Sequence, residues 1–261
     1  MYALNQIVNL KLHPINNSSE YLIYCKNKLK KDSILKLDNF LLLNSLKKLQ
    51  KEAENLKTKA YYCHQKHTIL LNKKNKKIKK NDPLNIEVES NKGCVPHDLI
   101  PINSDLLKIY KSKDFRNFLT KVLDLKKIYP YKDKLSSINY NYYNKNQQLG
   151  WHFDNASFAI TLMIESSKLG GNFQYINNVR DVNNNYINKD LINAILKDKL
   201  KPKQIKVNPG TLILFYGRNY LHRVTPVLSK KNRILVTLNY NLEKNIELSE
   251  NARLTFFGRI N

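Results

Sequence analysis

Cysteine is scarce in this chain, with three in 261 residues, at Cys25, Cys63 and Cys94. Three scattered thiols cannot build a disulfide framework, which excludes the small secreted scaffolds that depend on one. No apolar run approaches the roughly 20 residues that a membrane-spanning helix requires. The opening residues, Met1-Tyr2-Ala3-Leu4-Asn5-Gln6, lack the basic stretch and following apolar stretch of a secretory signal. A location in the reducing cytoplasm, with no membrane partner, is therefore expected. Internal repeats are absent, and so is any linker long enough to separate two domains. The chain reads as one domain.

Carboxylates are the other shortage. Asp and Glu number 21 against 45 Lys and Arg, a formal net charge of +24. Such a field attracts nucleic acid and acidic partners. Here the positive charge is nearly all lysine, mixed with abundant Asn, Ile and Tyr, as AT-rich codons would encode. One dense cluster, Lys73-Lys74-Asn75-Lys76-Lys77-Ile78-Lys79-Lys80, reads as a solvated loop. Nucleic acid is not the expected partner. A hydrophobic fraction of 42% supports one well-buried core.

Periodicity divides the chain into a support region and a β core. Residues 18–31 begin with a Ser-Ser-Glu cap and end in lysines, so they predict a helix. Ile34 to Leu41 alternates as a strand. From Asn44 to about Lys66, the repeat of Leu46, Leu49, Ala53, Leu56 and Ala60 predicts the strongest helix, packed outside the core. Residues 72–92 predict an exposed, poorly ordered hairpin or loop. Two helices follow, one carrying Leu106, Leu107 and Ile109, the other Phe115, Phe118, Leu119, Val122 and Leu123. The β core begins near Leu135. An insertion between Gln174 and Val207 holds a helix over about 189–199 and is expected near an active-site mouth.

Within the core, Trp151-His152-Phe153-Asp154 stands out. In a strand, His152 and Asp154 would share a face. A second histidine, His222, lies 68 residues beyond Asp154, and Arg233 lies 11 residues beyond that. Two imidazoles and a carboxylate can hold one face of an octahedral iron(II) and leave the opposite face open. A lone His-x-Asp is weak, but the order of its neighbours is specific. Phe158–Glu165 alternates as a strand, Gly170-Gly171-Asn172-Phe173 turns into another, and Asn208-Pro209-Gly210 precedes the strand Thr211–Phe215. His222 then sits on a loop, and Arg233 opens a further strand.

This order resembles the double-stranded β-helix of the iron(II)/2-oxoglutarate oxygenases over about residues 135–242. Ser137-Ile138-Asn139-Tyr140, Leu149–Asn155, Leu221–Val227 and Leu254–Arg259 extend the likeness to the BesD/HalD-like family of free-amino-acid hydroxylases and halogenases. The resemblance implies a mainly β fold with flanking helices (α+β). Its jelly-roll, cupin-like core would span 135–242, with an N-terminal support region at 1–134 and a C-terminal segment at 243–261. It also implies iron(II), 2-oxoglutarate and O2, with ascorbate helpful in vitro. The reaction would be hydroxylation of a free amino acid, a cationic one such as lysine included, with release of succinate and CO2. Halogenases of that family have a small residue where this chain has Asp154, so the chain resembles a hydroxylase.

Site residues follow from the same reading. His152, Asp154 and His222 are the expected metal ligands. Arg233 offers a planar fork to the far carboxylate of the cosubstrate. Tyr143, nine residues before His152, matches a cosubstrate-binding tyrosine of related prolyl hydroxylases. Thr237 and Asn239 share the parity of Arg233 and would meet substrate, as would Asn155. Trp151, on the other parity, is expected to pack. Cys63, His67, Cys94 and His97 could together form a zinc site. Two rival readings are an oxygenase acting on a protein or nucleic acid and a non-catalytic β-barrel binding module. A nucleic-acid dealkylase would carry Arg-x-Asn-x-Thr-x-Arg at the arginine strand, and Arg233-Ile234-Leu235-Val236-Thr237-Leu238-Asn239 does not match it.

Overall fold

Residues 4–261 are described by the structure, which is a computed structural model. Helix α1 (Ser19–Asp32) starts where the Ser18 hydroxyl accepts the Tyr21 N–H. It leads into strand β1 (Ile34–Leu37). Helix α2 (Leu43–Leu56) buries Leu49, Ala53 and Leu56 along one face. Expected to run to Lys66, this helix instead ends after Leu56, and Tyr61–Thr68 is strand β2. The apolar helical repeat stops at Ala60, and the paired tyrosines and alternating residues beyond it suit an edge strand.

Strand β3 (Glu87–Val95) pairs with β2 from Tyr61 opposite Cys94 to Thr68 opposite Glu87. Residues 87–92 of the expected hairpin or loop therefore belong to a strand, and the rest connects β2 to β3. The lysine-rich turn itself is exposed but built around one buried side chain. Asn85 Nδ2 donates to the carbonyls of Asn75 and Ile78, at 3.0 and 3.1 Å, and its Oδ1 accepts the Asn75 N–H. Helices α3 (Asp105–Lys111) and α4 (Lys113–Val122) follow, each capped by a serine, Ser104 and Ser112.

The remaining elements are β4 (Ile138–Tyr143), β5 (Leu149–His152), β6 (Ala159–Glu165), β7 (Phe173–Ile176), β8 (Arg180–Asp181), β9 (Tyr186–Ile187), α5 (Lys189–Leu196), β10 (Lys203–Ile205), β11 (Leu212–Phe215), β12 (Leu221–Val224), β13 (Arg233–Leu238) and α6 (Glu250–Phe257). Seven strands form the larger sheet, in the order β1-β11-β6-β13-β4-β3-β2, and four form the smaller, β10-β7-β12-β5. Neighbours in both are antiparallel. The two sheets face each other across a shared cavity, the double-stranded β-helix expected from sequence.

Alternation decides what each face does. Along β4, β6, β11 and β13 the even-numbered residues join the main core with the helices. Tyr140, Tyr142, Leu162, Leu214 and Val236 lie there with Leu49, Ala53, Phe115 and Phe118. Tyr140 and Tyr142 carry their hydroxyls into α2, donating to Glu52 Oε1 at 2.9 Å and to the Ala53 carbonyl at 2.7 Å. The odd-numbered residues point the other way, into the cavity. Behind the smaller sheet, Ile192 and Ile195 of α5 pack on Trp151, Phe153 and Leu221. The helix of the insertion thus backs the outside of the smaller sheet, where its apolar face is covered, while Val207 at the end of the insertion lines the cavity. Trp151 packs behind the smaller sheet, as its parity implied. Among the described residues, no helix is long and apolar enough to cross a membrane.

Leu49 is only 1% exposed, at the contact of α2 with the larger sheet. Leu49→Ala should lower unfolding free energy by about 2–5 kcal/mol in urea titrations, whereas Lys48→Ala should change it by about 0.5 kcal/mol or less. Equal effects would show that α2 does not carry the sheet's outer core.

Candidate active site

His152 ends β5, and His222 lies on β12 directly opposite it in the register. The expected loop around His222 is in fact a strand, flanked by β5 and β7. Cross-strand pairing brings the two imidazoles face to face, with centroids 4.1 Å apart. Each ring donates from Nδ1 to a carbonyl two residues back, His152 to Gly150 at 2.8 Å and His222 to Tyr220 at 2.9 Å. That fixes the tautomer and leaves both Nε2 lone pairs free.

Asp154 lies just past the end of β5, so tertiary contacts and not strand geometry aim it. Its N–H donates to the Gly217 carbonyl at 3.0 Å, and the Phe153 N–H donates to Ile69 at 2.8 Å. Asp154 Oδ1 stands 3.5 Å from His152 Nε2 and 3.6 Å from His222 Nε2. The three potential ligand atoms lie within 4.8 Å of one another. Burial lowers the affinity of His152 for a proton, and His222 adds to that, against Asp154 and the Gly150 carbonyl. Burial alone would raise the Asp154 carboxyl, but His222 and His152 outweigh it and hold the group well below the usual carboxylate range. Neutral imidazoles and an ionised carboxylate are the donor forms that iron(II) takes. Asp154 Oδ1 is the oxygen that faces both imidazoles, while Oδ2 is buried against Gly217 without a hydrogen-bond partner.

Arg233 lies on the larger sheet, 3% exposed, opposite Tyr143 in the β13–β4 register. Its guanidinium carbon sits 5.1 Å from the centre of the Tyr143 ring. Burial lowers its pKa, with Tyr143 opposing. Nε and Nη1 are buried with no partner. An unpaired guanidinium facing a cavity fits an anion supplied from outside. The Gly170-Gly171 turn closes beside it. Both glycines have positive φ, and a Cβ on Gly171 would meet Ser167 Oγ at 2.6 Å and crowd Arg233 Cδ at 3.2 Å.

The triad, Arg233, Tyr143 and Thr237 all line one mostly apolar cavity of about 240 Å³. Two expected substrate residues do not reach it. Asn155 is exposed, and its carbonyl accepts from the Arg218 guanidinium. Asn239 donates from Nδ2 to the Ser136 carbonyl at 2.7 Å and to Asn139 Oδ1 at 3.1 Å, so strand ends satisfy it. Among the described residues no carboxylate other than Asp154 lines the cavity. A cationic side chain, included in the sequence-based expectation, therefore finds no counter-ion there.

Lys92, Gln65, Asn141, Thr161 and Phe256 also line the cavity and were not anticipated. Asn141 and Thr161 were legible, since their strands have clear inward parity. Lys92 and Gln65 were not, because β2 was read as helix and β3 as loop. The four residues considered for zinc do not converge; the triad is the one group of potential ligands gathered among the described residues. His67 is occupied otherwise: its Nδ1 donates to Thr68 O at 2.8 Å, and the Ser90 hydroxyl, which accepts the Gly150 N–H, donates to Nε2. This chain ties β5 to the edge of the larger sheet behind the metal ligands.

Gly217 is the tightest point of the centre. A Cβ there would collide with the Asp154 carboxylate. Gly217→Ala should weaken iron(II) binding by roughly tenfold or more through displaced ligation, as measured by equilibrium titration. Its thermal unfolding without metal should stay close to wild type. Unchanged iron affinity would show that Asp154 is not a ligand.

A family profile described as halogenase D matches residues 17–255. No curated protein matches the chain. Solved structures similar to it include SnoN, a non-haem, α-ketoglutarate-dependent epimerase from nogalamycin biosynthesis. The TM-score is 0.58 at 6% identity, over 86% of this chain and 83% of that one. An oxidoreductase of the 2OG-Fe(II) oxygenase family from Burkholderia pseudomallei gives 0.54 at 11%, over 87% and 93%. A prolyl-4-hydroxylase from Pseudomonas putida gives 0.51 at 11%, over 83% and 96%. At these identities the likeness establishes the fold, and the metal centre within it is read from this chain's own residues. Spanned by the halogenase D profile over most of its length, the chain belongs to that family and is an iron(II)- and 2-oxoglutarate-dependent oxygenase.

Proposed function

We propose that this oxygenase hydroxylates an unactivated C–H bond of a free amino acid and does not halogenate it. The observation that carries the reading is Asp154 at the third protein position, its carboxylate set between both imidazoles. Halogenases of the resembling family keep that position small, which leaves room for chloride. A tethered carboxylate competes with free chloride at a high effective concentration. The balanced reaction is R–H + O2 + 2-oxoglutarate → R–OH + succinate + CO2.

His152, Asp154 and His222 would hold the iron, which supplies the oxidising chemistry when bound. The chain's own work is positioning. Arg233 binds the far carboxylate of 2-oxoglutarate, with Tyr143 beside it, so the cosubstrate enters in one orientation. Thr237 faces the substrate, and Asn239, 3.4 Å from Thr237 Oγ1, holds it in place. Asn155, next to the ligand Asp154, helps to set the loop that carries it through its contact with Arg218. Phe173, Phe215 and Met163 exclude water from the reacting end. The size of the cavity supports a small-molecule substrate over a polymer. Three free cysteines agree with a cytoplasmic setting.

Purified protein with iron(II), ascorbate, 2-oxoglutarate, excess chloride and the twenty amino acids should give a product that gains oxygen and no chlorine by mass. A chlorinated product would overturn the assignment of Asp154. Asp154→Gly should lose most hydroxylation and give little or no chlorination. Arg233→Lys keeps the charge but loses the fork, so it should raise KM for 2-oxoglutarate more than KM for the amino acid. Equal changes would remove Arg233 from its role.

A further inference from the structure

Lys92 is a cation that the reaction described above leaves unused. It projects from β3 into the cavity that holds the triad and Arg233. The β3–β4 register sets Gly93 opposite Tyr142, which puts Lys92 level with Tyr143, itself opposite Arg233. Two strand spacings, roughly 10 Å, thus separate the Lys92 and Arg233 backbones. A molecule gripped at one of these cations need not touch the other.

The Lys92 ammonium is held in place but has no dedicated counter-ion. Nζ donates to Asn141 Oδ1 at 2.5 Å and lies 5.4 Å from the centre of the Phe256 ring. Asn141 is itself oriented, since its Nδ2 donates to the Asn139 carbonyl at 3.1 Å. The only carboxylate lining the cavity among the described residues is Asp154, which is committed to the metal. An enclosed ammonium without an anion is unfavourable unless a ligand brings one. The cosubstrate does not fill this need, because its two carboxylate ends go to the metal and to Arg233. A third anion therefore has to come from the substrate. Neutral polar groups in the lining, Gln65, Thr161 and Thr237 among them, suit the α-ammonium of an amino acid, whereas Met163, Leu149, Val224 and Leu235 offer nothing to a second positive charge. Two cations already present would repel it.

We propose that Lys92, steadied by Asn141, anchors the carboxylate of the substrate, and that the substrate is an amino acid with an uncharged, apolar side chain. The proposal rests on the oxygenase reading and departs from a cationic substrate.

The test uses the iron-loaded, full-length protein. L-Norleucine and L-lysine share one carbon chain and differ in the terminal ammonium, and L-norleucinamide lacks the carboxylate. Leucine, isoleucine, methionine and phenylalanine complete the panel. Succinate formed above the rate without amino acid, together with oxygenated product by mass, is the readout. At least one apolar amino acid should stimulate succinate formation, with norleucine well above lysine and above norleucinamide. In Lys92→Met, KM for the best amino acid should rise roughly tenfold to a hundredfold, as loss of a charged hydrogen bond implies. KM for 2-oxoglutarate should move far less, and Lys92→Arg should recover part of the loss. Preference for lysine, indifference to amidation, no response to any apolar amino acid, or a larger effect on 2-oxoglutarate would each overturn the proposal. Binding of 2-oxoglutarate to the iron(II) protein under argon reads the oxygenase assignment separately, by visible absorption and by a rise in Tm. Its absence would sink that assignment, whereas binding without any response to apolar amino acids would sink only the substrate proposal.

Discussion

One cross-strand pair, His152 opposite His222, is the contact on which the rest of the site depends. Antiparallel pairing sets the two rings 4.1 Å apart, and each spends its Nδ1 on a backbone carbonyl. The free nitrogens then point at one spot, and Asp154 needs only to reach it. Nothing in β5 does this for Asp154. The backbone bond to Gly217 and the missing Cβ of that residue bring the carboxylate in. Both histidines belong to a small sheet of four strands. It is tied to the larger sheet through the Gly150–Ser90–His67 hydrogen bonds and backed by α5.

The larger sheet divides its labour by parity. Its even-numbered residues bury tyrosines and aliphatic side chains against the helices, where stability is made. Its odd-numbered residues carry Arg233, Tyr143, Asn141 and Thr237 to the cavity, where polar groups are left for ligands. Stability and binding can thus share one strand, because neighbouring side chains never see the same environment. The cavity collects cations on this sheet and metal ligands on the other.

Much was legible from residue order. Periodicity located α1, α3, α4 and several strands of the β core, though not β12. The triad and Arg233 stood out because their spacing and the turns between them follow a known order. The parity of β13 correctly took Thr237 to the cavity. It failed for Asn239, which follows the strand's last residue and bonds to a neighbouring chain segment. Residues after a strand end no longer obey alternation. Asp154 also lies past its strand, yet it reaches the site because the loop is fastened at both Phe153 and Asp154.

The sequence by itself determined the donor set, the two-faced strands and the helices that cover them, since these follow from residue type and local period. Only the tertiary structure decided that Tyr61–Thr68 is a strand, that His222 lies in one, and that Cys63, His67, Cys94 and His97 do not meet. Strand pairing is a relation between distant segments, and an edge strand with weak alternation carries little local signal. The same cause hid Lys92. Its inward position exists only because β3 pairs with β4, and no local pattern can state that.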